Sequence, residues 1–168
     1  MTQTESTIET ALHERLRRLE ATEEIRRLKH RYAEICDNGY KGDDFAELFT
    51  PDGVWVSNTF GTVRGRRELS AFISQIGEQH FTWAMHYMNC LNIDLSADCT
   101  RAHGTWQLLQ LATQRDARGA VPILAAATYH DELIHDGTRW KFDKVTAQFH
   151  QVVDIRHGWT DPPLEGPG

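Results

Sequence analysis

The chain has 168 residues, of which 40% are hydrophobic and 25% charged, and its formal net charge is -6 at pH 7. This length is typical of one domain whose core can surround a ligand-sized cavity. The acidic balance argues against a nucleic-acid-binding protein, because affinity for phosphates comes mostly from Lys and Arg, and no apolar run is long enough to suggest a membrane protein.

Apolar residues at three- and four-residue spacing predict an amphipathic helix over residues 11–36. Its apolar positions are Leu12, Leu16, Leu19, Ile25, Leu28, Tyr32 and Ile35. The segment 37–39, Asp-Asn-Gly, predicts the end of this helix, because Asn and Gly accept a left-handed backbone. A second helix is predicted to begin at Asp43 and to end at a turn over residues 50–53, and a third covers residues 66–76.

The remaining segments are typical of β-structure. A short strand is predicted at 54–56 and a hairpin or loop at 58–65. After the third helix come four long strands, at 83–95, 101–114, 123–135 and 139–154. This order predicts an α+β fold, a cone-shaped α+β barrel in which three helices pack on a curved, mainly antiparallel sheet that encloses a pocket. We expect a single domain over residues 1–168, with loose tails at 1–10 and 160–168.

The three cysteines, Cys36, Cys90 and Cys99, form no CxxC pair, so neither a disulfide framework nor a structural zinc site is indicated. The N-terminus lacks the positive and apolar regions of a secretory signal. From these two observations we expect a cytoplasmic protein.

Two residues are the main candidates for chemistry. Asp37 ends the first helix, where its carboxylate either shapes the turn or reaches the open mouth of the sheet. His86 lies in a strand rich in large apolar groups, where a histidine is more often a core residue than a catalyst. As a pair they are more informative, because a carboxylate on one imidazole nitrogen fixes the tautomer and raises the basicity of the other nitrogen. We predict that they form an acid/base pair.

Sequence motifs favour no cofactor and no metal. The nine histidines form no HxH, HxxxH or HExxH spacing, and no phosphate-binding loop or GxSxG motif occurs. The aromatic residues, Trp55 and Phe149 among them, suit a dry cavity for a ring-bearing ligand as well as an ordinary core.

Several segments together resemble a known family. The sequence is similar to the SnoaL-like branch of the nuclear-transport-factor-2-like fold, and within it to the group of scytalone dehydratase and bacterial bile-acid 7α-dehydratase. The segments that carry the resemblance are LEATEEIRRLKHRY (19–32), ICD (35–37), FTPDGVW (49–55), MH (85–86), GTW (104–106) and DGTRWKF (136–142).

The resemblance implies roles for particular residues. It makes Asp37 and His86 the catalytic dyad and has Tyr32 offer its hydroxyl to the substrate. The residues expected to contact substrate are Trp55, Gln110, Thr128 and His150. Gln110 stands where the bile-acid enzyme has an acidic residue, which leaves the acid that serves the leaving group open between His150 and His103.

The function that the resemblance implies is a cofactor-independent lyase, a dehydratase that removes a proton from a small hydrophobic, cyclic or aromatic hydroxylated substrate. An isomerase or a polyketide-type cyclase with the same dyad is the alternative within enzymes. A non-catalytic binding module or accessory subunit is the alternative outside them. Relatives of this kind form homo-oligomers, and we expect a trimer more than a dimer; no nucleic-acid or membrane partner is expected.

Overall fold

The computed structural model describes residues 3–117 and 119–158, and the elements follow the predicted α+β order. In chain order they are α1 (Gln3–Asp37), α2 (Gly42–Ala46), β1 (Phe49–Ser57), β2 (Gly61–Arg64), α3 (Arg66–Gln79), β3 (Phe81–Leu95), β4 (Arg101–Asp116), β5 (Gly119–His135) and β6 (Trp140–Asp154). The tail predicted at 160–168 lies outside the described residues. The other predicted tail, residues 1–10, is helical from Gln3, and Ile8 continues the four-residue spacing of Leu12 and Leu16.

The six strands form one curved sheet in the order β2-β1-β6-β5-β4-β3. Neighbouring strands are antiparallel except β1 and β6, which run parallel. The sheet is therefore mainly antiparallel, as predicted. It is not closed, because β2 and β3 lie at opposite edges and do not pair, so the barrel is an open cone.

The turn predicted at residues 50–53 is a bulge inside β1 instead. Between Phe49, which pairs with Phe142, and Val54, which pairs with Lys144, β1 carries more residues than β6, so its extra residues arch away from the ladder. Pro51 lies at this point, and its backbone has no N–H to donate to a neighbouring strand. The turn-forming residue types were recognised correctly, but the chain keeps its direction through them.

Helix α1 contributes to the core with its C-terminal half only. Ile25, Tyr32 and Ile35 are buried, whereas residues 6–17 are exposed. The predicted apolar face is therefore buried only in the C-terminal half of the helix, and the side chains of Leu12 and Leu16 are exposed to solvent. No described helix, α1 included, has the length and apolar character needed to cross a membrane.

A buried ion pair joins α1 to β5 beneath the inner face of the sheet. Lys29 Nζ lies 2.8 and 3.1 Å from the carboxylate oxygens of Asp131, and both side chains are fully buried. The ammonium group also lies 4.7 Å from the ring centroid of Tyr32 and 4.2 Å from that of Tyr129. Burial lowers the pKa of Lys29 and raises that of Asp131, and the attraction between the two charges opposes both shifts.

We expect Lys29→Met to lower the free energy of unfolding by about 3–5 kcal/mol, because it leaves the Asp131 carboxylate buried without a partner. Urea unfolding measures the effect. The double variant Lys29→Met/Asp131→Leu should recover most of the loss, since an apolar pair has no charge to desolvate.

The matched control is Arg27→Met, which removes the cation of the exposed Arg27–Glu23 pair on the same helix, where the side chains are 74% and 51% exposed. That substitution should cost less than about 1 kcal/mol. Equal stability of Lys29→Met and the wild type would refute the assignment of the pair as a structural anchor.

Candidate active site

A cavity of about 220 Å³ lies between the helices and the inner face of the sheet. Its wall is mostly aromatic and aliphatic, with rings contributed by α1, β1, the β1–β2 turn, α3, β3 and β6: Tyr32, Trp55, Phe60, Phe72, Phe81 and Phe149. His80, His86 and Gln110 add polar groups to this wall. Such a cavity suits an apolar ligand that is oriented by a few polar contacts.

Asp37 and His86 form the hydrogen-bonded pair that the sequence predicts. His86 Nδ1 lies 2.6 Å from Asp37 Oδ1, and the backbone N–H of His86 donates to the same carboxylate at 3.0 and 3.2 Å. An ionised carboxylate only accepts hydrogen bonds, so the neutral imidazole carries its proton on Nδ1 and leaves a lone pair on Nε2. No other described residue hydrogen-bonds to this ring.

His86 stands between the cavity and Asp37. The cavity is lined by His86 but not by Asp37, which borders a wider groove outside, between α1 and the outer face of the sheet. Because Nδ1 is hydrogen-bonded to Asp37, Nε2 is the ring nitrogen left free, on a side chain that lines both the cavity and the groove. The carboxylate therefore holds and polarises the imidazole from behind without entering the apolar chamber.

Local structure explains these positions. Asp37 is the last residue of α1, which ends where Gly39 adopts a φ of 93° and the N–H of Tyr40 donates to Ile35 O at 3.0 Å. This is the Schellman helix end, for which a glycine after the helix is suited. His86 faces inward because side chains alternate along β3, and it lies opposite Gln110 of β4.

Tyr32 and Trp55 form the floor of the cavity. Trp55 Nε1 donates to the hydroxyl of Tyr32 at 2.9 Å, and the Tyr129 ring lies edge-on to the Tyr32 ring, with centroids 6.1 Å apart. Burial raises the pKa of Tyr32 well above its ordinary value, so the group stays protonated. Burial and the nearby Asp37 charge likewise raise the pKa of Cys36, which keeps its thiol protonated.

The structure brings only part of the predicted substrate-binding set to the cavity. Trp55 and Gln110 line it, whereas Thr128 and His150 lie on the outer face of the sheet, where Thr128 Oγ1 and His150 Nε2 are 2.8 Å apart. On β5 the odd-numbered positions around Ala127 point inward, which turns Thr128 outward. His150 is the extra residue where β6 bulges, between Phe149 and Gln151.

The predicted alternatives for a second acid also lie outside. His103 is exposed, since its neighbours Ala102 and Gly104 take the inward positions of β4. Among residues 3–117 and 119–158 no three His, Cys, Asp or Glu side chains converge as metal ligands would.

Tyr40 is a cavity residue that the sequence did not indicate. Its side chain is 6% exposed and its ring stacks on Phe81, with centroids 5.9 Å apart and an interplanar angle of 16°. Its centroid lies 6.2 Å from that of His86. A signal was present, because Tyr40 directly follows the glycine of the helix end, the position whose side chain commonly packs back on the helix.

The fold has close structural relatives. A hexachlorocyclohexane dehydrochlorinase, LinA type 2, has a TM-score of 0.76 and 23% identity, with 89% of this chain and 98% of that chain covered. LinA type 3 from Novosphingobium barchaimii gives 0.74 and 23%, covering 88% and 99%. A protein provisionally assigned as a scytalone dehydratase, from Novosphingobium aromaticivorans, gives 0.72 and 20%, covering 90% and 98%. These similarities establish the fold.

A comparison with curated proteins finds no match. The sequence itself matches the SnoaL-like domain family over residues 17–146, a range that runs from the middle of α1 to the middle of β6. This span contains both members of the dyad and most of the cavity wall, and it agrees with the resemblance carried by the sequence motifs. The chain belongs to the SnoaL-like domain family.

Proposed function

We propose that this protein is a cofactor-independent lyase in which His86 removes a proton from a small ring-bearing substrate. The observation that carries the proposal is the 2.6 Å contact between His86 Nδ1 and Asp37 Oδ1, which leaves Nε2 at the wall of an apolar cavity. A positioned base of this kind contributes about 10²–10⁴-fold to a reaction rate. The structural relatives described as a dehydrochlorinase and a scytalone dehydratase fit the same class of reaction.

In the proposed step, Nε2 takes a proton from a carbon next to the leaving group, and the C–H electron pair becomes the new double bond as that group departs. Asp37 stabilises the imidazolium that forms. Tyr32, at the cavity floor, is positioned to hydrogen-bond the substrate, as the resemblance implies. Its hydroxyl already accepts a hydrogen bond from Trp55, so it orients a ligand without moving.

The size of the cavity restricts the substrate. A cavity of about 150 Å³ holds benzene, so the cavity of about 220 Å³ seen here suits one substituted ring. A fused four-ring steroid exceeds this space. The proposed substrate class is therefore a single hydroxylated or halogenated ring, and hexachlorocyclohexane, named for two of the relatives, is of that size.

One observation favours an isomerase or cyclase as the second candidate. No described residue that lines the cavity is an aspartate or glutamate, and Gln110 occupies the place of the expected acid. A reaction in which His86 takes a proton and returns it elsewhere on the substrate needs no second acid. The mass of the product separates the alternatives, because elimination loses water or a hydrogen halide and isomerisation loses nothing.

We expect His86→Ala to lower kcat/KM by about 10²–10⁴-fold, since it removes the base. Asp37→Asn should also lower it, because an amide neither fixes the Nδ1–H tautomer nor balances the imidazolium charge. The measurement is a mass-spectrometric screen of hydroxylated and halogenated single-ring compounds, followed by kinetics on any converted compound.

The matched control is His103→Ala, which removes an exposed histidine from the outer side of β4 and should leave turnover unchanged. Unchanged turnover in both dyad variants would refute the catalytic role of the dyad, whereas a screen in which no compound is converted would favour the non-catalytic binding module.

The outer face of the sheet supports a second proposal, that copies of this chain associate. Large apolar side chains on β3 and β4 are exposed there: Trp83 47%, Met85 38%, Tyr87 54%, Leu91 51% and Leu109 46%. Tyr87 and Leu109 are direct cross-strand neighbours, so these side chains form a continuous patch. Patches of this kind mark interaction surfaces, and the family resemblance makes a trimer the expected assembly.

Leu109→Glu should dissociate the assembly, because the interface would then bury an unpaired carboxylate. Size-exclusion chromatography with light scattering measures the mass of the particle. Gln75→Glu, which places the same charge on the exposed side of α3, should leave the assembly intact. A wild-type chain that is monomeric at micromolar concentration would exclude this proposal.

A further inference from the structure

The hydroxyl of Tyr40 is a buried polar group without a partner. Three buried side-chain polar atoms in the described part of the chain lack a hydrogen bond, and of these only Tyr40 Oη belongs to a residue that lines the cavity. Burying a hydroxyl without a hydrogen bond is unfavourable, because its interaction with water is lost and nothing replaces it. Such a group in a cavity wall is explained if a ligand supplies the missing partner.

The backbone holds Tyr40 in a costly position. Its φ is 55°, a value that non-glycine residues rarely adopt, and its N–H is fixed to Ile35 O at 3.0 Å by the helix end. Gly77 of α3 packs against it so closely that a Cβ added there would lie 2.8 Å from the Tyr40 Cβ. With its ring stacked on Phe81, the side chain is fixed from three sides.

The surroundings of Tyr40 make it a neutral hydrogen-bond donor. Burial raises the pKa of its hydroxyl far above the ordinary value, and an interaction with the nearby Gln110 side chain opposes this shift only in part, because the two groups do not meet with the geometry of a hydrogen bond. The group therefore keeps its proton. Its ring meets that of His86 edge to face, at 71° and 6.2 Å between centroids, and Gln110 lies opposite His86 across the β3–β4 ladder. Tyr40, Gln110 and His86 thus border one side of the same cavity.

We propose that the Tyr40 hydroxyl binds the substrate oxygen on which negative charge develops when His86 takes the neighbouring proton. The proton passes from a substrate carbon to His86 Nε2, the C–H electron pair moves into the adjacent C–C bond, and the carbonyl π pair moves onto oxygen. Tyr40 donates a hydrogen bond to that oxygen and keeps its own proton. A donor placed in this way in a dry site stabilises developing charge.

This inference rests on the proposed role of His86 and adds a requirement for the substrate. The ring must carry a carbonyl group, with the C–H that loses its proton on the next carbon. Neutral donors stabilise the oxygen, so no carboxylic acid is needed beside it; the proton that a departing hydroxide must gain is a separate requirement.

Binding of 4-nitrophenol tests the proposal without a known substrate, because its ionised form places an oxyanion on a single ring. Absorbance titration at a pH where the phenol is ionised gives the Kd. Tyr40→Phe should weaken binding by about tenfold or more, as expected for the loss of a hydrogen bond to a charged group. Tyr87→Phe removes a hydroxyl from the outer face and should change Kd by less than about twofold. Nitrobenzene, which lacks the phenolic oxygen of 4-nitrophenol, should bind the wild type and Tyr40→Phe equally.

Thermal unfolding separates this role from a structural one. Because the hydroxyl has no partner within the described protein, Tyr40→Phe should have a Tm equal to or above that of the wild type. A lowered Tm, equal affinity of the wild type and Tyr40→Phe for 4-nitrophenolate, or no binding by the wild type would each overturn the proposal. Repeating the titration in a His86→Ala background keeps it independent of the dyad, since the loss caused by Tyr40→Phe should persist there even if no compound is turned over.

Discussion

The ion pair between Lys29 and Asp131 is the constraint on which the geometry of the site depends. It is fully buried, and it fixes α1 to β5 at a point where the helix has few other anchors on its N-terminal side, because residues 6–17 are exposed. Lys29, Tyr32 and Cys36 are spaced by three and four residues and therefore share one face of α1. A shift or rotation of the helix would displace Tyr32 from the cavity floor and Asp37 from His86. Replacing a buried pair by apolar residues often raises stability, so the value of this pair lies in the single position it allows the helix.

The proposed base, His86, lies in the wall of the cavity, whereas the carboxylate that holds it, Asp37, lies outside the cavity. Asp37 remains partly exposed outside the cavity and transmits its effect through the His86 ring. Inside, burial keeps the tyrosines and Cys36 neutral by raising their pKa values. Imidazole is the side chain that exchanges protons near neutral pH, and His80 and His86 are the imidazoles of the cavity. Only His86 of these two is hydrogen-bonded to a carboxylate, which is the reason that we propose it as the base.

The sequence predicts what depends on local pattern and misses what depends on tertiary contacts. The three helices, the long strands and the inward position of His86 follow from periodicities of 3.6 and two, and the family resemblance supplies the pairing with Asp37. Thr128 and His150 lie on the outer face, in the groove that Asp37 also borders, because one bulged residue in β6 and the alternation of β5 decide which face they occupy; their contact with substrate stays a prediction. Leu12 continues the apolar spacing that predicts a buried helix face, yet its side chain is exposed. The spacing of apolar residues does not show that the N-terminal half of α1 extends beyond the sheet. Tyr40 escaped notice because α3, through Gly77, sets its position from a distant part of the chain.

A cavity with one base and neutral donors favours particular reactions. A leaving group that departs as a stable anion, such as a halide, needs no acid, and a proton returned by His86 serves an isomerisation equally well. Loss of hydroxide is harder, since hydroxide must gain a proton as it leaves. In the proposed mechanism the imidazolium of His86, formed in the first step, is the group that would supply this proton. Dehydration in this site would therefore require the departing hydroxyl to lie on the same face of the ring as the proton that is removed.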